Sequence, residues 1–236
     1  MQLIPDGPRM LPIVSGPLRG RLFCANTRVR PHYHLGCYER RVARVLTEIL
    51  TPGCVAYDIG ANCGYLALVM GLQVRRSGAD GHVYAFEPSP TAFRMLAANS
   101  LLSRDLPVHV NQLALSDAVG VEAFSSYVFD LVSQLGDHSL QHADAQVIRV
   151  RTETPDYRVA EYALEPPDLV KIDVEGAEIR VLKGMASVLA SCRPRLLIET
   201  HSPELEAEVL SMLSALSYKS RVIGTEVPKQ FLFTPS

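Results

Sequence analysis

The run Val55-Ala56-Tyr57-Asp58-Ile59-Gly60-Ala61-Asn62-Cys63-Gly64-Tyr65 constrains the fold more than any other part of the chain. It reads as a buried strand that stops at an acid and turns through two glycines into a helix. A second apolar strand, 83–86, ends in Glu87. Strands that alternate with helices in this way build a mainly parallel sheet covered on both faces. The ligand of such a sheet lies beyond the carboxyl ends of its strands, where the winding direction reverses.

The alternation continues along the chain. Val42, Val45, Leu46, Ile49 and Leu50 recur at helical spacing until Thr51-Pro52-Gly53 stops them. Ser89 is placed as an N-cap with Pro90 at the first helical position, ahead of the stripe Phe93, Leu96, Ala97, Leu101. Further strands are expected at 108–112, 169–173 and 195–200, with strand-like pieces at 119–124 and 146–150. A helix is expected over 175–185, and Ser202-Pro203 caps another that carries Leu205, Val209, Met212, Leu213 and Leu216. The segments 218–223 and 230–233 read as a closing antiparallel pair.

Composition removes several function classes. The chain has 236 residues, enough for one well-buried core, and a formal net charge of −2. No Lys/Arg block interleaves with aromatics, so a nucleic-acid groove is not expected. Its five cysteines form no C-x-x-C pair, which points to reduced thiols and away from a zinc ribbon. No apolar run reaches the roughly 18 residues of a membrane span. With no basic and apolar leader at the start, the expectation is a cytoplasmic protein.

Residues 1–37 stand apart from the domain expected over 38–236. Pro5, Pro8, Pro12, Pro17 and Pro31 break them into short pieces, as in an arm packed on the domain. The alternative is a cap that closes over a substrate with His32, Tyr33 and His34.

The turn Asp58-x-Gly60-x-Asn62-x-Gly64 lacks the glycine spacing that seats a pyrophosphate at a helix N-terminus. Asp58 would repel a diphosphate and suits a cation. S-adenosylmethionine (SAM) carries an ammonium, a sulfonium and no phosphate, so it is the expected cofactor. Asp58 is then placed near its amino-acid end, Gly60 and Gly64 admit the backbone, and Glu87 takes the ribose diol. Ser116 or Asp117, after the third strand, is placed at the adenine amine.

These residues carry a resemblance. The pieces Tyr38-Glu39, 58–65, 83–88, 114–117, 168–178, 181–184 and 193–199 resemble, in order and spacing, an FkbM-family SAM-dependent methyltransferase. Lys171-Ile-Asp-Val-Glu-Gly-Ala-Glu178 is the most specific of them. The resemblance implies an α/β class I methyltransferase fold, Rossmann-like, with a seven-stranded mostly parallel sheet and helices on both faces. It implies methyl transfer to a hydroxyl of a small molecule such as a natural product, sugar or lipid-like acceptor. Glu39, Asn62 and Pro88 lie inside matching pieces and join the expected cofactor contacts. Thr154-Pro155-Asp156-Tyr157 departs from the family pattern.

The implied topology sets the fourth and fifth strands side by side, bringing Asp173, Glu199 and His201 to the reacting centre. His201 is the first candidate for general base, since an unperturbed imidazole accepts a proton near neutrality. Asp173 or Glu199 would orient its ring or meet the acceptor. Glu175 and Glu178 read as acids favoured in a first helical turn. Asp173 shares its strand face with Lys171, so a structural Lys–Asp pair is the other reading. Asp173, Glu175, Glu199 and His201 would suit a divalent cation of the magnesium type, a reading not favoured over a metal-free site. Residues 124–150, including Phe129, His138 and His142, are expected to set acceptor specificity. The alternatives to O-methylation are an N-methyl or macromolecular acceptor, or a non-catalytic module that binds SAM or a nucleotide.

Overall fold

The computed structural model describes residues 7–27, 30–127, 133–135, 145–224 and 228–236. Its central sheet has seven strands: β1 (Val55–Ile59), β2 (His82–Phe86), β3 (Val108–Asn111), β4 (Leu169–Ile172), β5 (Arg195–Thr200), β6 (Tyr218–Gly224) and β7 (Lys229–Pro235). Their order is β6-β7-β5-β4-β1-β2-β3. The first five pair in parallel, while β7 runs antiparallel to β5 and β6. The winding reverses between β1 and β4, which opens a crevice at their carboxyl ends.

Helices cover both faces. They are α1 (Arg40–Ile49), α2 (Tyr65–Val74), α3 (Pro90–Leu102), α4 (Pro155–Glu161), α5 (Glu178–Gly184), α6 (Ala186–Ser191) and α7 (Pro203–Ala215). The period of two along each strand divides the core. Ala56, Leu169 and Leu197 pack with α1, α2 and α3. Tyr57, Val170 and Ile198 face α5, α6 and α7. Each fully buried Leu, Ile or Phe contributes about 1.5–3 kcal/mol of transfer free energy. Ser89, Thr154 and Ser202 cap α3, α4 and α7 through their hydroxyls, each followed by proline. Such caps contribute about 1 kcal/mol apiece. The unusual Thr154-Pro155-Asp156 piece is thus a helix start, and Asp156 accepts from the backbone N–H groups of Ser187 and Val188 at the head of α6.

Same-face logic has a consequence for the site. Asp58 and Lys171 alternate with Tyr57 and Val170, so both side chains enter the apolar layer beneath α1 and α2. A charge placed there needs a partner.

The described part of the N-terminal segment is a hairpin, Pro8–Pro12 with Leu22–Asn26, and a single helical turn at His32–Leu35. The side chain of Asn99 both accepts from the Cys24 N–H and donates to the Cys24 carbonyl, holding the hairpin to α3. Tyr33 and His34 are buried against Phe23, and His32 stacks on Tyr38, so the arm packs inward. A second small sheet is made by Gly120–Tyr127, Ala145–Glu153, Ala114–Leu115 and Ser133–Leu135. Its two long strands pair antiparallel and outrun the pieces expected at 119–124 and 146–150. Phe129, His138 and His142 lie outside the described residues.

One boundary is corrected. The helix expected from 175 begins at Glu178, because Glu175 (φ 54°) and Gly176 (φ 108°) form a left-handed turn. Glu178 closes that turn by accepting from the N–H groups of Val174 and Gly176.

Candidate active site

A cleft opens at the carboxyl ends of β1, β2 and β4. Ile59, Phe86, Leu113, Leu115 and Phe124 form an apolar wall, and Gly60, Asn62, Glu87, Pro88, Asp173 and Glu175 supply the polar rim. Gly60 (φ 78°) brings the β1 turn against the end of β4: a Cβ there would lie 1.8 Å from the Asp173 carbonyl oxygen. No other residue type fits. Glu87 is 6% exposed and both its oxygens are held, one by the Asn62 N–H at 2.9 Å and the other by the Ser89 N–H at 2.8 Å. Burial pushes its carboxyl up to about 7 against the opposing pull of those two N–H groups.

Behind the cleft sits a buried charge network. Lys171 Nζ lies 3.2 Å from Asp58, 3.3 Å from Asp173 and donates to the Gly60 carbonyl at 2.9 Å. Burial works against the Lys171 charge, but Asp58, Asp173 and Glu39 outweigh it and hold the ammonium well above its ordinary range. Burial raises the Asp58 carboxyl, with Lys171 opposing. Glu39, in a left-handed conformation (φ 40°) at the start of α1, faces the same group. Burial and the nearby Asp173 push its carboxyl up to about 8. A smaller cavity of about 190 Å³ runs between Glu39, Lys171, Glu199 and Gln230.

His201 sits just past the end of β5, among four carboxylates. Its Nδ1 lies 3.2 Å from Glu178, and its Nε2 lies 3.1 Å from Glu175 and 3.6 Å from both Asp173 and Glu199. Burial lowers the imidazole pKa, yet the hydrogen bonds to Glu178 and Glu199 and the charges of Glu175 and Asp173 raise it to about 11. Glu199 is fixed in turn by the side-chain amide of Gln230, which donates at 2.6 Å. Asp173, Glu199 and His201 offer donor atoms within 4.8 Å of one another. In the structure the imidazole lies 3.6 Å from each of these two acids.

Several expectations change on this geometry. Asp58, expected near the amino-acid end of the cofactor, has no exposed surface and pairs with Lys171, because its strand position points it beneath α1 and α2. Gly64 is also set back from the cleft. It heads α2 (φ 89°) where a Cβ would meet Leu96 at 2.6 Å. Ser116 and Asp117 turn away from the cleft: Ser116 is buried and bonds Asp117, which pairs with Arg180 on α5. The cleft takes the preceding residues, Leu113 to Leu115, in their place. His201, the expected general base, has both ring nitrogens beside carboxylates, which favours its protonated form. Glu39, Gly60, Asn62, Glu87, Pro88, Asp173 and Glu199 remain around the cleft and its rear cavity. Glu178 and Gln230 were not legible as site residues. The only signal for Glu178 was its place in the Val-Glu-Gly-Ala-Glu run; for Gln230 there was none.

Known proteins share this plan. Residues 58–220 match the model of the methyltransferase FkbM domain. The hexuronic acid methyltransferase AglP of Haloferax volcanii is 28% identical over 191 residues, covering 81% of this chain and 72% of that protein. The 31-O-demethyl-FK506 methyltransferase FkbM of Streptomyces tacrolimicus is 32% identical over 164 residues, covering 58% of this chain and 61% of that one. Among solved structures, methyltransferase FkbM from Methylobacillus flagellatus has a similar fold, with TM-score 0.56 at 15% identity, over 86% of this chain and 52% of that chain. With residues 58–220, more than half of the chain, matched by that model, the chain belongs to the FkbM methyltransferase family, enzymes that transfer methyl groups.

Proposed function

We propose that the protein transfers a methyl group from SAM to a hydroxyl of a small molecule. The observation that carries this reading is the cleft acid Glu87, its two oxygens oriented by backbone N–H groups at the tip of β2 beside an apolar wall. The residues present fit SAM. Glu87, in its ionised form, only accepts and so suits a ribose diol, and Phe86, Leu113, Leu115 and Phe124 would flank an adenine. Gly60 admits close backbone approach, and the carboxylates around Lys171 and His201 favour a cationic donor.

SAM would supply a methyl carbon already activated by its sulfonium. What remains for the chain is alignment, exclusion of water and removal of the acceptor proton. Asp173 and Glu199, on adjacent strands, would orient the acceptor hydroxyl. By their names, the two relatives above act on a hexuronic acid and on 31-O-demethyl-FK506, both small molecules. Among the described residues no helix is long and apolar enough to cross a membrane. All five cysteines are free, which supports a reducing, cytoplasmic setting.

Calorimetry with SAM and with NAD tests the cofactor, and SAM alone should bind. Incubation of the enzyme with isotopically labelled SAM and a metabolite extract tests the reaction. The expected result is a labelled small-molecule product one methylene heavier than its precursor. Label found only in protein or nucleic acid would reject the acceptor class.

A further inference from the structure

We propose that Glu175 is the general base of the reaction, taking the proton of the acceptor hydroxyl on Oε1. The inference rests on the methyl-transfer reading above and extends it to a residue that looks, in sequence, like an ordinary helix-start acid.

Glu39 lies behind the cleft, facing Lys171 from the rear cavity, and the remaining carboxylates are more deeply set or more fully held than Glu175. Asp58 is fully buried on Lys171. Glu87 is held on both oxygens by backbone N–H groups. Asp173 has one oxygen on Lys171, and the other is buried without a hydrogen bond, 3.6 Å from His201. Glu199 gives one oxygen to Gln230 and turns the other to His201. Glu178 is wholly buried beneath the turn. Glu175 differs. Its Oε2 lies 3.1 Å from His201 Nε2, its Oε1 has no partner among the described residues, and its side chain is 28% exposed at the cleft rim. It is also held at φ 54°, a left-handed conformation unfavourable for glutamate that the Glu178 carboxylate keeps in place. Backbone strain of this kind persists where surrounding contacts over-determine it, and it concentrates at functional sites.

The charged groups facing Glu175 are His201 past β5, Asp173 past β4, Glu199 on β5 and Glu178 on α5. Burial raises the Glu175 carboxyl to about 7, His201 pulls it down, and the three acids push it up. A base with that proton affinity is half ionised near neutrality, where general-base catalysis is most effective. His201 then serves as a fixed cation that aims the carboxylate. In the step, the acceptor oxygen bonds to the methyl carbon as the carbon–sulfur bond breaks. The electron pair of that bond stays on sulfur, the hydroxyl proton passes to Glu175 Oε1, and the resulting acid later releases it to water.

The test compares wild type, Glu175→Gln and Glu175→Asp, with methyl-labelled SAM and the metabolite fraction that the wild type methylates. Glu175→Gln should lose about a hundredfold or more in kcat while binding SAM as the wild type does by calorimetry. The wild-type rate should climb with pH through an apparent pKa near 7, a limb absent from the Gln variant and retained at lower rate by Asp. Infrared difference spectra of the unliganded protein supply a readout independent of turnover. A carboxylic-acid band that disappears as pH is raised through neutrality should be weaker in Glu175→Gln. An unchanged rate and pH profile in Glu175→Gln would overturn the proposal, as would an equal loss of SAM affinity and rate. A wild type that methylates nothing in any fraction would instead overturn the reaction on which it rests.

Discussion

Lys171 Nζ stands 3.2 Å from Asp58 Oδ1, directly opposite it in the register of β4 on β1. Both side chains are pinned under α1 and α2 by the alternation of their strands, and neither reaches bulk water. Removing one partner of a buried pair leaves a charge that the surrounding core cannot solvate. Lys171→Met should therefore cost about 3–5 kcal/mol. Adding Asp58→Asn should return part of that loss, so the double variant is more stable than the sum of the singles. Urea unfolding at pH 7 measures both. A Lys171→Met protein as stable as the wild type would mean that the pair contributes nothing.

Glu87 gives the second prediction. Burial holds its carboxyl at about 7, whereas ribose hydroxyls donating to it would favour the ionised form. SAM affinity should rise between about pH 6 and pH 8, with proton release on binding in the lower part of that range. Glu87→Gln should weaken SAM about tenfold or more, the loss expected for hydrogen bonds to a charged acceptor, and should flatten that part of the pH dependence. Calorimetry in two buffers of different ionisation enthalpy reads the proton count directly. Identical wild-type affinity at both ends of the range would exclude Glu87 as the ribose acceptor.

The two predictions mark what the sequence discloses and what it hides. Strand tips, caps and the closing antiparallel pair were legible because periodicity and proline placement act locally. The serine-proline starts at Ser89 and Ser202 are examples. The acids at the tips of β1 and β2 were legible as a pair, but their division of labour was not. Glu87 faces the cleft and Asp58 faces Lys171, because register across β4 decides the partner and register is set by the whole sheet. The partners of Ser116 and Asp117 were hidden by the same kind of limit. A two-residue strand, Ala114–Leu115, turns them toward Arg180 instead of the cleft. The role of Glu178 was hidden because an acid at a helix start has a sufficient local explanation in the macrodipole, which says nothing of the turn it closes or the imidazole it holds.

His201 carries a prediction about stability and pH. Its folded pKa is raised from 6.5 to about 11, so the folded state binds its proton more tightly than the unfolded chain. The stabilisation is complete below about pH 6.5 and is lost as pH rises through about 11. Glu175, Glu39 and Glu87 are raised to about 7, 8 and 7, so their contribution is present below the ordinary carboxylate range and is lost through pH 7–8. The wild type should therefore lose stability in two stages on the alkaline side. His201→Ala should be less stable at pH 7 and 9 and approach the wild type by pH 11. Chemical denaturation at these three values decides it, and a pH-independent gap between the proteins would assign His201 a packing role only.

The same proton bears on metal dependence. Asp173, Glu199 and His201 are spaced as a divalent ion would require, but an ion at His201 must compete with a proton shared among four carboxylates. That proton already offsets part of the negative charge that would draw the ion in. Lys171 occupies the second oxygen of Asp173 and leaves fewer acidic lone pairs to offer. Dialysis against EDTA should accordingly leave methyl transfer and melting temperature unchanged, and added Mg or Mn should raise neither. A Mn-dependent rise in melting temperature that vanishes in His201→Ala would show the reverse: the ion displaces the proton, and the three donors form a metal centre.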